Sequence, residues 1–348
     1  MKIECVLGSK EDFDSFINEI KPEDKIAIRT HTDLDGITSA LFLEEILEDR
    51  GLKVSLIEFG SYGVGMFDKF SEKVEANKIT KVFLVDCAGD LADLEGFEKF
   101  RKRVDTFLID HHPIHPNLKD KNNILKTETS DCSSLLLYSF LSDKLKEKWK
   151  WLICATIISD FSFKKKQNLE FVQESYPDVL YENVFNSRPG KIAAVINSAL
   201  IYFEDNKKKI FDLIKNGKFE EVQKYGGEVE EEIQKYVKNY KKLAEYYPER
   251  KLYFYFIEPK YKIGSTVSTI ISSKNPDDIF IVVSSSSKEK VMLYLSARNQ
   301  TRREDMNLLI KDALKGLQNA DGGGHIPAAG GRVMRKDLEI FKKRILNI

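Results

Sequence analysis

Three short apolar runs in the first third of the chain each stop at acidic or imidazole side chains. This repetition constrains the fold more than any other feature. Residues 25–30 lead to His31, Asp33 and Asp35; residues 81–85 lead to Asp86; residues 105–109 lead to Asp110, His111 and His112. Apolar runs of this length, separated by helical spacers, suit strands buried on both faces of a parallel sheet. Open sheets of that kind bind ligands outside the carboxyl ends of their strands. The expected fold class is therefore α/β, a doubly wound, mainly parallel sheet with a site at one rim. Residues 53–59 add a strand without a polar end, and Pro113 stops the last run because it has no N–H for the ladder.

Gly36 allows a sharp turn after the first run. Residues 37–49 then read as a helix, with Ile37, Ala40, Leu41, Leu43 and Leu47 mostly three or four apart. Alternate residues of an extended segment share a face, so His31, Asp33 and Asp35 can converge. Such groups repel unless a cation intervenes; the alternative is an acidic turn that caps the helix. His111 and His112 would face opposite ways on a regular strand, so only a break there lets both serve one site. Ser133 and Ser134 open an apolar helix over 135–141, where hydroxyls and free N–H groups either cap the helix or hold a phosphate. The apolar segment 151–159 ends in one more carboxylate, Asp160.

The 348 residues allow roughly two to three domains. Lys+Arg 55 balance Asp+Glu 55, so bulk charge does not drive polyanion binding, and any basic face must be local. Cys5, Cys87, Cys132 and Cys154 form no C-x-x-C pair, which gives neither a zinc signature nor a disulfide framework. With no leader-like start and no long apolar window, the expectation is a cytoplasmic protein with no membrane span.

Collected, His31, Asp33, Asp35, Asp86, Asp110, His111, His112 and Asp160 exceed the three or four ligands of one zinc ion. Mixed carboxylate and imidazole ligation in this number suits two divalent cations, Mn²⁺ or Mg²⁺. Two such ions can activate water and clamp phosphoryl oxygens for in-line displacement. Asp35 and Asp86 are candidates for shared ligands, and Asp110 for orienting a histidine from behind.

The chain resembles the DHH phosphoesterases in four motifs taken in order: His31-x-Asp33-x-Asp35-Gly36, Val85-Asp86, Asp110-His111-His112 and Ser159-Asp160. The first looks most like the RecJ-like branch, with His31 in place of an aspartate. The resemblance implies two Mn²⁺ ions held by His31, Asp33, Asp35, Asp86, His111 and Asp160. It implies a phosphate-facing role for His112; with Asp110 behind a histidine, Asp110 and His112 are the expected catalytic residues.

In the second half, runs over 251–257, 279–284 and 291–296 suggest a smaller α/β domain, and residues 229–247 a polar helix with a narrow apolar stripe. The expected division is a catalytic domain over 1–205, a helical linker over 206–249 and a substrate-binding domain over 250–348, with the active site in the cleft. Residues 284–287, four serines, read as a loop. Asp321-Gly322-Gly323-Gly324-His325 reads as a glycine-rich loop whose N–H groups can wrap an anion. It is similar to the G-G-G-H motif of the DHH-associated C-terminal domain, which implies substrate binding by Arg298, Gly323, Gly324 and His325. From Arg298 onward eleven basic residues face six acidic ones, a local excess of five.

These readings give an expected exonuclease on single-stranded DNA, RNA or short oligonucleotides, with replication or repair proteins as candidate partners. The alternatives are a nanoRNase with 3′-phosphoadenosine-5′-phosphate phosphatase activity, a cyclic-dinucleotide phosphodiesterase, and a non-catalytic replication scaffold on the same fold.

Overall fold

A computed structural model describes residues 3–285 and 291–346. Residues Met1–Gly226 and Gly227–Ile348 form two separate compact units.

The first unit is built on six strands: β1 (Cys5–Leu7), β2 (Ile26–Thr30), β3 (Val54–Phe59), β4 (Lys81–Val85), β5 (Asp105–Asp110) and β6 (Ile124–Thr127). Their order is β1-β6-β5-β4-β2-β3. All neighbours are parallel except β1 on β6. The chain leaves β2 for β3 on one side and returns for β4 on the other, so the topological switch lies between β2 and β4. β2, β4 and most of β5 are fully buried, as their unbroken apolar runs require; β3, at the edge, is mostly half-buried. Register brings the carboxyl ends level: Thr30 pairs with Val85, and Val85 with Ile109. The residues that follow each strand therefore meet at one rim.

Helix Leu34–Asp49 begins three residues before the expected start. Asp33 caps it by accepting the Gly36 N–H at 2.9 Å, which is why Asp35 lies in the first helical turn and not in an extended segment. The helix is buried all round between the sheet and helices Ser133–Phe140 and Asp143–Ser159. Each of its buried Leu, Ile and Phe side chains contributes about 1.5–3 kcal/mol. The helical spacer between β4 and β5 is two helices, Gly89–Ala92 and Leu94–Arg101, divided where Asp93 caps the second.

The expected linker over 206–249 is not a separate element. Ile210, Phe211, Leu213, Ile214 and Val222 belong to the core of the first unit. Lys215 pairs there with Glu44 at 2.7 Å and Glu48 at 2.8 Å. In the second unit, Val229, Ile233, Val237 and Tyr240 of helix Phe219–Leu243 are buried, and Tyr240 packs edge-on to Tyr253 and Phe280. The stripe stops at Tyr240, for Leu243 is exposed and Tyr246 has already entered a strand.

That second unit has the sheet order β11-β12-β10-β9-β8-β7, from β7 (Glu245–Tyr247), β8 (Leu252–Ile257), β9 (Ile279–Ser285), β10 (Met292–Arg298), β11 (Asp321–His325) and β12 (Ala328–Met334). Among the described residues of this sheet, β8 and β9 run parallel and the other neighbours antiparallel. Ser284 and Ser285 end a strand and are not loop; Ser286 and Ser287 lie outside the described residues. Among the described residues, no helix is long and apolar enough to cross a membrane.

Candidate metal centre

The eight polar residues singled out in the first unit come together at the carboxyl rim of β2, β4 and β5. Three overlapping groups have ligand atoms within 4.8 Å of one another: His31, Asp33 and Asp86; Asp86, His111 and His112; Asp35, His111 and Asp160. Asp86 is common to the first two groups and His111 to the last two. Asp35 falls in one group only, so the geometry favours Asp86 over Asp35 as a shared ligand.

Local backbone sets these positions. Asp86 follows β4 in the left-handed region, φ +50°, where aspartate is among the few residues tolerated. Its N–H still reaches the Ile109 carbonyl at 3.0 Å, so the strand ends while its carboxylate turns into the rim. Asp160 ends helix Asp143–Ser159 and accepts the Ser162 hydroxyl at 2.7 Å. His31 Nδ1 lies 2.9 Å from Asp33 Oδ2.

Ser133 and Ser134 are corrected from phosphate contacts to internal supports. Both are buried, and their N–H groups donate to the two oxygens of Asp35 at 2.8 and 3.0 Å. Asp35 thus occupies the anion position at this helix start that a substrate phosphate was expected to take. The Ser133 hydroxyl lies 3.3 Å from Asp86.

Asp110 stands behind the cluster. It belongs to none of the three groups and holds His112 Nδ1 at 2.8 Å. On its other oxygen it accepts Lys126 of β6 at 2.9 Å, and Lys126 also donates to Asp90 at 2.7 Å. Sequence reasoning missed Lys126 and Asp90; a lysine inside a short apolar strand was the available signal. It missed Tyr62 as well, whose ring centre lies 4.8 Å from that of His31 and 5.5 Å from that of His112.

Electrostatics divide these carboxylates. Burial disfavours charge on Asp110, but His112 and Lys126 win, and its pKa falls well below the usual range. Asp86 lies 3.5 Å from His111 Nε2, yet burial first, then Asp35, Asp33, Asp110 and Asp160, push it well above. Burial and Asp35 raise Asp160 to about 7. His111 is raised in turn, because Asp35, Asp160 and Asp110 outweigh its burial. A buried set of mutually repelling carboxylates with imidazoles among them is the donor chemistry that divalent cations relieve, so the implied metals fit these residues.

The sequence profile of the DHH family, N-terminal domain, matches residues 25–181. Residues 25–181 are a DHH-family N-terminal domain. The chain also shares its fold with solved structures. Exonuclease RecJ bound to manganese superposes with TM-score 0.69 at 18% identity, over 99% of this chain and 94% of that one. RecJ from Thermus thermophilus in complex with Mn²⁺ gives 0.67 at 18%, over 97% of this chain, which spans about half of that protein, 53%. CDC45 from Entamoeba histolytica gives 0.63 at 11%, covering 97% and 98%. No curated protein matches by sequence.

In the second unit, the expected glycine-rich loop is a hairpin. Gly323 pairs with Gly330 and Gly324 with Ala329, and the turn is Ile326-Pro327. Glycine is needed at two points. Gly324 has φ +156°, and a Cβ at Gly322 would sit 2.6 Å from Ile310, on the helix packed against the hairpin. The Gly324 N–H already donates to Asn307 at 3.0 Å. Arg298 pairs with Ala328 beside the turn and bonds the Ser265 hydroxyl at 3.1 Å; His325 is exposed. Part of the local basic excess is neutralised: Arg332, Arg335 and Lys342 pair with Asp321, Glu258 and Glu245.

Proposed function

We propose that this chain is a metal-dependent phosphodiesterase that hydrolyses single-stranded DNA, RNA or short oligonucleotides from an end. The observation that carries the reading is the row of overlapping ligand groups, joined through Asp86 and His111. His31, Asp33, Asp35, Asp86, His111 and Asp160 would hold two divalent ions, Mn²⁺ or Mg²⁺. Such ions supply water activation and charge neutralisation at a phosphoryl group.

The protein's own groups do the rest. Asp110 is ionised and can only accept, so His112 Nδ1 carries the proton between them. That leaves Nε2 of His112 facing the substrate: when the ring also carries a proton there, Nε2 can donate to a phosphate oxygen or hand that proton to the departing one. Lys126 prevents Asp110 from swinging away. The Ser133 and Ser134 amides fix both oxygens of Asp35, and the left-handed turn fixes Asp86. In the net reaction water adds to phosphorus, the P–O bond to the leaving nucleoside oxygen breaks, and that oxygen takes a proton.

A second reading is a non-catalytic scaffold on the same fold; the likeness to CDC45 is one of fold alone. Against it stands the full set of acidic and imidazole groups, which a scaffold does not need. The test is purified protein with Mn²⁺ and end-labelled single-stranded DNA and RNA of graded length, with the products sized. Stepwise shortening that disappears in Asp86→Ala supports the enzyme. Intact substrate in all arms supports the scaffold.

A further inference from the structure

Immediately after Asp160 the chain does something costly. Phe161 adopts φ +61°, a region that a bulky side chain enters at about 1–3 kcal/mol, and its ring is 44% exposed. It is not alone. Tyr181 and Phe185 are 52% and 53% exposed, and both pack on the buried ring of Phe163 at 5.5 Å. Phe161 meets Phe185 edge-on at 5.6 Å. The result is a fixed aromatic apron, anchored from below and open above. Lys164 lies 5.0 Å over the Phe161 ring, and Lys166 and Arg188 are exposed nearby in the chain.

We infer that this apron is a base-stacking subsite for single-stranded nucleic acid, with Phe161 as its inner ring; the inference rests on the proposed phosphodiesterase reading. Burying these rings in the core would gain free energy, yet the turn that presents Asp160 holds Phe161 outward. A phosphate bound at the acidic groups sits next to Asp160, and the flanking base then reaches the neighbouring residue. Aromatic faces edged with cations accept every base, because every base has a π-face. A duplex cannot use them without unstacking. Tyr62, also 44% exposed, lies against His31 and His112, in the groups that exclude Asp160, so rings stand at both ends of the row.

The experiment has two readouts. First, Phe161→Trp places a fluorophore on the apron, and its emission is titrated with a ten-residue oligothymidylate in EDTA, where no turnover occurs. Saturable quenching is expected, and no quenching overturns the proposal. Second, with Mn²⁺, oligonucleotides carrying a normal or an abasic residue beside the scissile phosphate are compared. The wild type should disfavour the abasic substrate roughly 10- to 100-fold in kcat/KM, and Phe161→Ala should erase that difference. A difference that persists in Phe161→Ala overturns the stacking role. Absence of all hydrolysis alongside quenching would instead remove the enzyme reading and leave the binding subsite. Self-association that is lost in Phe185→Ala, with no response to oligonucleotide, would assign the apron to a second copy.

Discussion

Lys126 Nζ lies 2.9 Å from Asp110 Oδ2 with both side chains fully buried, and the same ammonium lies 2.7 Å from Asp90. One cation thus balances two carboxylates in the interior. Lys126→Met removes the ammonium shared by both carboxylates and is expected to cost about 3–5 kcal/mol in urea unfolding. Adding Asp90→Leu should recover part of that loss, so the double variant is less destabilised than the two single losses summed. Additive losses would mean that the three groups do not act together.

Asp110→Asn keeps the shape but removes the charge that fixes the His112 tautomer. Turnover should fall roughly 10–100-fold, the usual loss for a group that orients a functional side chain. Manganese stoichiometry by calorimetry should stay at the wild-type value, because Asp110 lies in none of the ligand groups. Asp86→Ala, by contrast, should lower that stoichiometry.

Asp160 keeps its proton up to about 7 in the folded chain, and Asp86 is raised as well. Unfolded aspartates ionise near pH 4, so from about 4 to about 7 the unfolded state loses protons first. The metal-free protein should therefore lose stability across that window, on the order of a few kcal/mol. Mn²⁺ needs the ionised carboxylates and should raise the melting temperature far more at pH 8 than at pH 5. A metal-free melting temperature that is flat or rises across the window would count against the charge arrangement described.

Gly322→Val pushes a branched side chain against Ile310 and Leu314, whose atoms lie within 2.9 Å of the added Cβ. The expected cost is about 1–3 kcal/mol, seen as a lower urea midpoint for the second unit. Gly316→Val faces open space at φ +76°, and its cost should come from backbone strain alone.

The strand-end residues were legible because strand and site share one cause: a buried run must end where polar groups can reach solvent or metal. Local chemistry also gave the helix after Asp33, although the start was placed late because the capping aspartate read as part of an extended turn. What failed was remote pairing. Lys126 is 16 residues from Asp110 and 36 from Asp90, and the short apolar strand around it signals a buried cation without naming its partners. The Ser133 and Ser134 amides meet a carboxylate 98 and 99 residues away. The glycine hairpin read as a loop because glycine usually marks turns, whereas here it permits a helix to approach a strand. The linker failed because its buried apolar residues divide between two cores, Ile210 to Val222 in the first unit and Val229 to Tyr240 in the second.

The bond between Asp35 and the start of helix Ser133–Phe140 ties together parts of the chain that are synthesised far apart. Of the residues gathered at the rim, all but Asp160 emerge from the ribosome before that tie can exist. A nascent chain halted ahead of Cys132 would carry the signature aspartates and histidines yet leave Asp35 without its two backbone donors. Capture of a divalent cation during stepwise translation should thus begin only once the chain has passed Ser134.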